Sequence, residues 1–246
     1  MAIFPYLRDG LKNLVKKVPV LRQFAYFLKN CFSGAFPGSE RYWEARYAKG
    51  GHSGVGSTKH LAKFKAGILN SFVKTNKINT VLEFGCGDGN QLELASYPHY
   101  TGFDVSLSAL RLCKEKFKAD KTRIFKSMNE YQGQRAELTL SLDVIYHLVE
   151  DASFQRYMQQ LFSSSDRYVV IYSSNTDKNP VDQPKHIKHR KFTEWVGSNA
   201  ADWELLEHIP NKYPVDSREQ TGSFSDFFIY GKKSGKNDEN LVDSIR

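Results

Sequence analysis

Ten consecutive residues, Val81-Leu82-Glu83-Phe84-Gly85-Cys86-Gly87-Asp88-Gly89-Asn90, place an apolar strand, an acid and three alternating glycines side by side. Glycine reaches backbone conformations that a side chain blocks, so a ligand could lie against bare main chain after Phe84. A nucleotide-like cofactor is the chemistry this implies. Dinucleotide sites need Gly-x-Gly-x-x-Gly, whereas here the third glycine comes one residue early and Asn90 stands where that pattern wants glycine. Pyrophosphate binding is disfavoured accordingly. A second strand, Tyr100 to Phe103, ends at Asp104, 21 residues after Glu83. Two carboxylates at neighbouring strand ends suit a diol, because ionised oxygens accept hydrogen bonds from adjacent hydroxyls. Cys86 reads as a small filler of the turn.

Further along, Asp143 and His147 stand four residues apart and would share a face if that segment were helical. An imidazole titrates near neutral pH, so His147 is the candidate base, with packing beneath a cofactor as its other reading. Asp143 would orient it, contact a ligand or cap a helix; the two could also hold a divalent metal, although two ligands do not define a site. A second polar cluster, His186-Ile187-Lys188-His189-Arg190-Lys191, follows the fifth expected strand. There His186, His189 and Arg190 would face an acceptor, with Arg190 suited to a bidentate grip on carboxylate or phosphate. His52, in a glycine-rich loop, would also approach the site.

The strand-acid-glycine segment Glu83 to Gly89, with Asp104 beyond, resembles the first motif of class I S-adenosylmethionine-dependent methyltransferases. The likeness runs from about Tyr42 to Lys232 and includes Glu137 to Asp151, similar to that family's fourth strand and the segment after it. It implies S-adenosylmethionine as cofactor, with Glu83, Gly85, Cys86, Gly87, Gly89, Asp104, Val105, Ser127, Met128, Ser141 and Leu142 around it. Asp104 would take the ribose hydroxyls. Ser127-Met128 stand where many members carry an acid near the adenine amino group. The acceptor is expected near Tyr146, His186, Arg190 and His52, with His147, Asp143 and His189 as catalytic candidates. Tyr42-Trp43-Glu44-Ala45-Arg46-Tyr47 and Gly50 to Ser57 resemble a leading segment of bacterial members associated with surface-glycan biosynthesis. The expected function is therefore O-methylation of a sugar or other small polar hydroxyl, with glycan precursors among the acceptors. A non-catalytic cofactor-binding or scaffold protein and a methyltransferase of protein or nucleic acid are the alternatives. Base methyltransferases of nucleic acid usually show Asn/Asp-Pro-Pro-aromatic after the fourth strand, whereas this chain reads Ser141-Leu142-Asp143-Val144.

The elements that must carry these residues alternate. Strands are expected at 81 to 84, 100 to 103, 123 to 126, 137 to 142, 168 to 173, 203 to 209 and 224 to 230, with helices between most of them. Ser106 would cap one helix, and Asp151 or Ser153 another. This implies an α/β fold: a Rossmann-like doubly wound sheet of seven strands, mostly parallel with an antiparallel last strand, plus N-terminal helices. Residues 1 to 38 form an expected basic amphipathic segment, 39 to 233 the domain and 234 to 246 a polar, disordered tail.

At 246 residues, 40% hydrophobic and 25% charged, the chain can bury a full core and is not of disordered type. The net charge of +8 is uneven: Arg8, Lys12, Lys16, Lys17, Arg22 and Lys29 face only Asp9 within residues 1 to 38, supplying five of the eight net charges. Nucleic-acid binding, which wants a basic groove with interleaved aromatics, is not expected. The basic segment would either cover the core or a dimer partner, or make peripheral contact with an anionic membrane. Cys31, Cys86 and Cys113 are scattered without metal or disulfide spacing, so a cytoplasmic setting, extending to the inner membrane face, is expected.

Overall fold

A computed structural model describes residues 35–215 and 222–233. The amphipathic helices expected before residue 35 and the tail expected at 234–246 lie outside the described residues. Seven strands form one sheet: β1 Thr80–Phe84, β2 His99–Asp104, β3 Arg123–Ser127, β4 Ala136–Leu142, β5 Ser165–Ser173, β6 Trp203–Ile209 and β7 Asp226–Lys232. Their order is β3-β2-β1-β4-β5-β7-β6, with β7 antiparallel to both neighbours and every other pairing parallel.

Side chains alternate between two cores because a strand presents successive residues to opposite faces. Val81, Leu138, Leu140, Val170, Tyr172, Phe227 and Ile229 face one core, while Leu82, Phe84, Val169, Ile171, Phe228 and Tyr230 face the other. Both faces are covered, which explains the near-continuous apolar runs of the central strands. The α-helices among the described residues are α1 Ser39–Ala48, α2 Lys59–Thr75, α3 Leu107–Lys116, α4 Asp151–Ser163 and α5 Phe192–Asn199. The first core holds Leu69 and Val73 of α2 with Leu110 and Cys113 of α3; the second holds Phe154, Met158 and Leu161 of α4 with Trp195 of α5.

Two local expectations need correction. Ser106 caps α3, accepting the Ala109 amide at 3.1 Å, but α4 is capped by neither Asp151 nor Ser153. Glu150 holds that N-cap position, and its carboxylate instead accepts the Ser39 amide (2.9 Å) and hydroxyl (2.8 Å), tying α1 to the start of α4. The last strand begins at Asp226, two residues later than expected, because Ser225 turns inward, fully buried, to reach Asp143. Among the described residues no helix is long and apolar enough to cross a membrane.

The sheet's order reverses between β1 and β4, and a crevice opens where their carboxyl ends diverge. The glycine turn and the residues after β4 flank that crevice.

Candidate functional site

A cavity of about 420 Å³ occupies the crevice. Glu83, Gly85, Cys86, Gly87, Asp104, Val105, Met128, Leu142, Asp143 and His147, all anticipated from sequence, lie on its wall. Gly89, Ser127 and Ser141 do not. Gly89 turns toward α3, where an added Cβ would meet the Phe117 ring at 2.8 Å. Ser127 instead accepts the Asn129 amide and caps the turn Met128–Glu130. Ser141 is buried below the wall, 2.7 Å from the Tyr157 hydroxyl.

The turn after β1 is anchored from the adjacent strand. Gly85 and Cys86 donate their amides to the Phe103 carbonyl at 2.7 and 3.1 Å, and Gly87 donates to Asp104 Oδ2 at 2.8 Å. Gly85 has φ +83° and rests against Val144, where a Cβ would come within 2.5 Å of Cγ2; no other residue fits there. Asp104 also accepts the Ser106 amide at 2.8 Å. Glu83 accepts the Tyr100 hydroxyl at 2.6 Å. Neither carboxylate has a cation at ion-pair distance among the described residues. Burial pushes the Glu83 carboxyl up to about 7, despite the Tyr100 hydrogen bond, and the Asp104 carboxyl up to about 6, despite its backbone donors. Cys86 is a filler as expected: a hydrogen bond with Cys113 and burial raise its thiol well above the ordinary range, away from nucleophilic use.

The leading segment covers this turn. Trp43, Tyr47, Ser53 and Ser57 lie on the wall, and Ser53 Oγ donates to Asp88 Oδ1 at 2.5 Å while its amide donates to Oδ2 at 3.0 Å. Glu44 accepts both the amide and hydroxyl of Ser108 and the hydroxyl of Ser106, fastening α1 across the start of α3. His52 is exposed, off the wall, and accepts the Gly54 amide on Nδ1 at 2.9 Å, so the residue of this loop that reaches the cavity is Ser53.

Beyond β4 the anticipated Asp143 and His147 pair does not form. Asp143 adopts φ +60°, and only a single 3₁₀ turn, Ile145–His147, follows, so the helical face that would align the two is missing. Asp143 Oδ2 pairs instead with Lys65 Nζ at 2.7 Å, and Oδ1 accepts the hydroxyls of Tyr146 (3.0 Å) and Ser225 (3.1 Å). Tyr146 is buried behind the wall as a support for Asp143, not on the acceptor side. His147 Nδ1 donates to the His186 carbonyl at 3.0 Å, leaving Nε2 as the nitrogen with the lone pair. The ring sits edge-on to Trp43, centroids 4.7 Å apart, and burial lowers its pKa to about 4.

The 186 to 190 cluster braces this wall from outside. His186 stacks on Tyr42 at 4.5 Å, and His189 Nδ1 lies 2.7 Å from the Ser174 hydroxyl. Arg190 does not offer a free guanidinium: it donates to the carbonyls of Leu148 (2.6 Å) and Val149 (2.9 Å) and to Asp151 (2.7 Å). Hydrogen bonds from Lys188 and Arg190 hold the Asp151 carboxyl down at about 2. His186, His189 and Arg190, anticipated as catalytic or acceptor-binding residues, all lie off the cavity wall, and His186 and Arg190 make their contacts to the 147 to 151 segment.

Sequence reasoning missed Lys65, Trp43, Tyr47 and Asn129 as wall residues. For Lys65 a signal existed: it falls between Leu61 and Leu69 at helical spacing, a cation on the apolar stripe of α2. Among the described residues no group of three or more His, Cys, Asp or Glu side chains could hold a metal ion.

No protein-family description and no curated protein matches the sequence. Solved structures do match the fold. The N-methyltransferase NodS from Bradyrhizobium japonicum, in complex with S-adenosylhomocysteine, is 10% identical with a TM-score of 0.60 over 80% of this chain and all of that one. The magnesium protoporphyrin IX methyltransferase of Synechocystis, with bound S-adenosylmethionine, is 13% identical with a TM-score of 0.57, covering 82% of this chain and 100% of that one. The fold is that of the class I methyltransferases. The methyltransferase domain of bacterial CtHen1, 19% identical, shares it with a TM-score of 0.55 over 69% of this chain and 97% of that domain.

Proposed function

We propose that the chain is an S-adenosylmethionine-dependent methyltransferase acting on a hydroxyl of a small acceptor. The observation that carries this reading is one cavity walled by the Gly85-Cys86-Gly87 turn, two buried carboxylates without a cation at contact among the described residues, and, opposite, His147 and Asp143.

The wall fits such a cofactor. Asp104 and Glu83 retain lone pairs for ribose hydroxyls beyond the donors they already accept. Met128 and Leu142 supply apolar surface for a base, and Asn129 stands beside them. Gln91 Nε2 is spent on the Ala62 carbonyl, leaving its buried Oε1 on the same wall without a partner among the described residues, an acceptor suited to an ammonium. When bound, the cofactor would supply an electrophilic methyl group. The protein's own contribution is alignment, with Trp43, Tyr47, Val144 and Leu148 excluding water and His147 Nε2 accepting a hydrogen bond from the acceptor. Trp43 and Tyr47 give part of this wall a flat aromatic face, suited to a planar hydroxylated molecule.

Titration calorimetry with S-adenosylhomocysteine tests the reading. Saturable binding at one site per chain is expected, and absence of heat at millimolar ligand would overturn it.

A further inference from the structure

Lys65 is a buried wall residue that the cofactor reading leaves unused. Its side chain is 1% exposed, yet it lies on the cavity wall, with Asp143, its ion-pair partner, 15% exposed beside it. A buried ammonium has three donors to satisfy. Among the described residues one goes to Asp143 Oδ2 at 2.7 Å, and the Tyr172 ring lies 5.2 Å from Nζ. No further acceptor contacts it. Asp143 in turn accepts from Lys65, Tyr146 and Ser225, and has a left-handed φ of +60°. Gly56 closes over the pair: a Cβ there would come 2.9 Å from Asp143 Oδ2. The cavity therefore ends on a fixed cation with a donor to spare.

The other group on that side is a weak base. His147 stays neutral down to a pH of about 4 because it is buried. A base so far below working pH is a poor partner for an ordinary alcohol, whose hydroxyl, like water, ionises far above neutral pH. A phenol ionises near ~10, and an adjacent cation lowers such a value by roughly 1 to 3 units.

We propose that Lys65 binds the reacting oxygen of the methyl acceptor as an oxyanion, and that the acceptor is a phenol-like hydroxyl held against the Trp43 and Tyr47 wall. This rests on the methyltransferase reading above. The acceptor's proton leaves to water at the cavity mouth. The oxygen lone pair then forms the O–CH3 bond as the S–CH3 bond breaks, its electron pair remaining on sulfur. Asp143 keeps the Lys65 side chain in place.

The probe is 4-nitrophenol, whose phenolate absorbs visibly, titrated with pH in the presence of the full chain saturated with S-adenosylhomocysteine. The wild type is expected to lower the bound probe's ionisation midpoint by about one unit or more. Lys65→Met should abolish the displacement. Because that change strands Asp143, the charge-free pair Lys65→Met with Asp143→Asn serves as the second variant and should behave likewise. S-adenosylhomocysteine affinity, measured by calorimetry, should stay within about threefold in the double variant. A wild type that binds S-adenosylhomocysteine but leaves the probe's midpoint where the free probe has it overturns the proposal, as does an equal displacement in the double variant. A loss of cofactor-product affinity beyond about tenfold in that variant overturns it too, reassigning Lys65 to the cofactor. Failure of the wild type to bind S-adenosylhomocysteine defeats the underlying methyltransferase reading instead.

Discussion

The two sides of the crevice bury carboxylates in opposite ways. At the ends of β1 and β2, Glu83 and Asp104 accept only hydroxyl and amide donors, and burial raises both toward neutrality, to about 7 and about 6. At the end of β4, Asp143 meets Lys65 at 2.7 Å and two further hydroxyls. One side holds acceptors in reserve for a ligand that donates hydrogen bonds. The other has been neutralised from within, so its function has to come from the cation that neutralises it.

The largest way to break this contrast is Asp104→Ala. It removes both the anticipated diol contacts and the acceptor that holds the Gly87 amide at 2.8 Å. With charged hydrogen bonds contributing about 1.5 to 3 kcal/mol each, S-adenosylhomocysteine affinity should fall roughly 100-fold or more. Calorimetry giving an unchanged constant would remove Asp104 from the cofactor site.

Stability should distinguish the sides by sign. Glu83 is raised from 4.5 to about 7 in the folded protein. Between those values the folded state keeps a proton that the unfolded chain has lost, so this group's contribution is complete below pH 4.5, declines as pH rises and is gone above about 7. At pH 8 the ionised, buried Glu83 then costs up to about 3 kcal/mol. Glu83→Gln should raise the ligand-free melting temperature there by about 5 °C, with little change at pH 4. Lys65→Met should do the reverse, costing about 3 kcal/mol by leaving Asp143 buried without its cation, and Asp143→Asn added to it should restore much of that loss. Thermal melts of the four proteins at both pH values decide it; destabilisation by Glu83→Gln would show that the β1 side is as self-satisfied as the other.

What the sequence disclosed follows the same division. The seven strands and the wall residues Glu83, Gly85, Cys86, Gly87 and Asp104 were legible because they depend on local chemistry: two-residue periodicity, glycines and acids at strand ends. The β4 side was not. Asp143 and His147 looked like helical neighbours, but a left-handed Asp143 and a single turn separate them, and that conformation is set by Lys65 and Ser225, 78 and 82 residues away in sequence. Arg190 looked like a free anion clamp because nothing local shows that the carbonyls of Leu148 and Val149 will claim its guanidinium. Spacing reads groups that act alone; it does not read groups that are partnered across the fold.

The smallest effect lies where the leading segment bridges the two sides. Ser53 rests on Asp88 beside the glycine turn, while Gly56, three residues on, rests on Asp143. Ser53→Ala removes the 2.5 Å hydroxyl contact but leaves the backbone amide on Asp88 at 3.0 Å, a loss of about 1 kcal/mol. If the segment retains cofactor through this contact, S-adenosylhomocysteine should dissociate about fivefold faster with its association rate nearly unchanged, read by stopped-flow fluorescence of Trp43 in the wall. Because Gly56 and its packing on Asp143 are untouched, the same variant should leave the 4-nitrophenol midpoint where the wild type has it. A shifted midpoint would mean that the cover couples the two sides, and the contrast drawn between them would then describe a single unit.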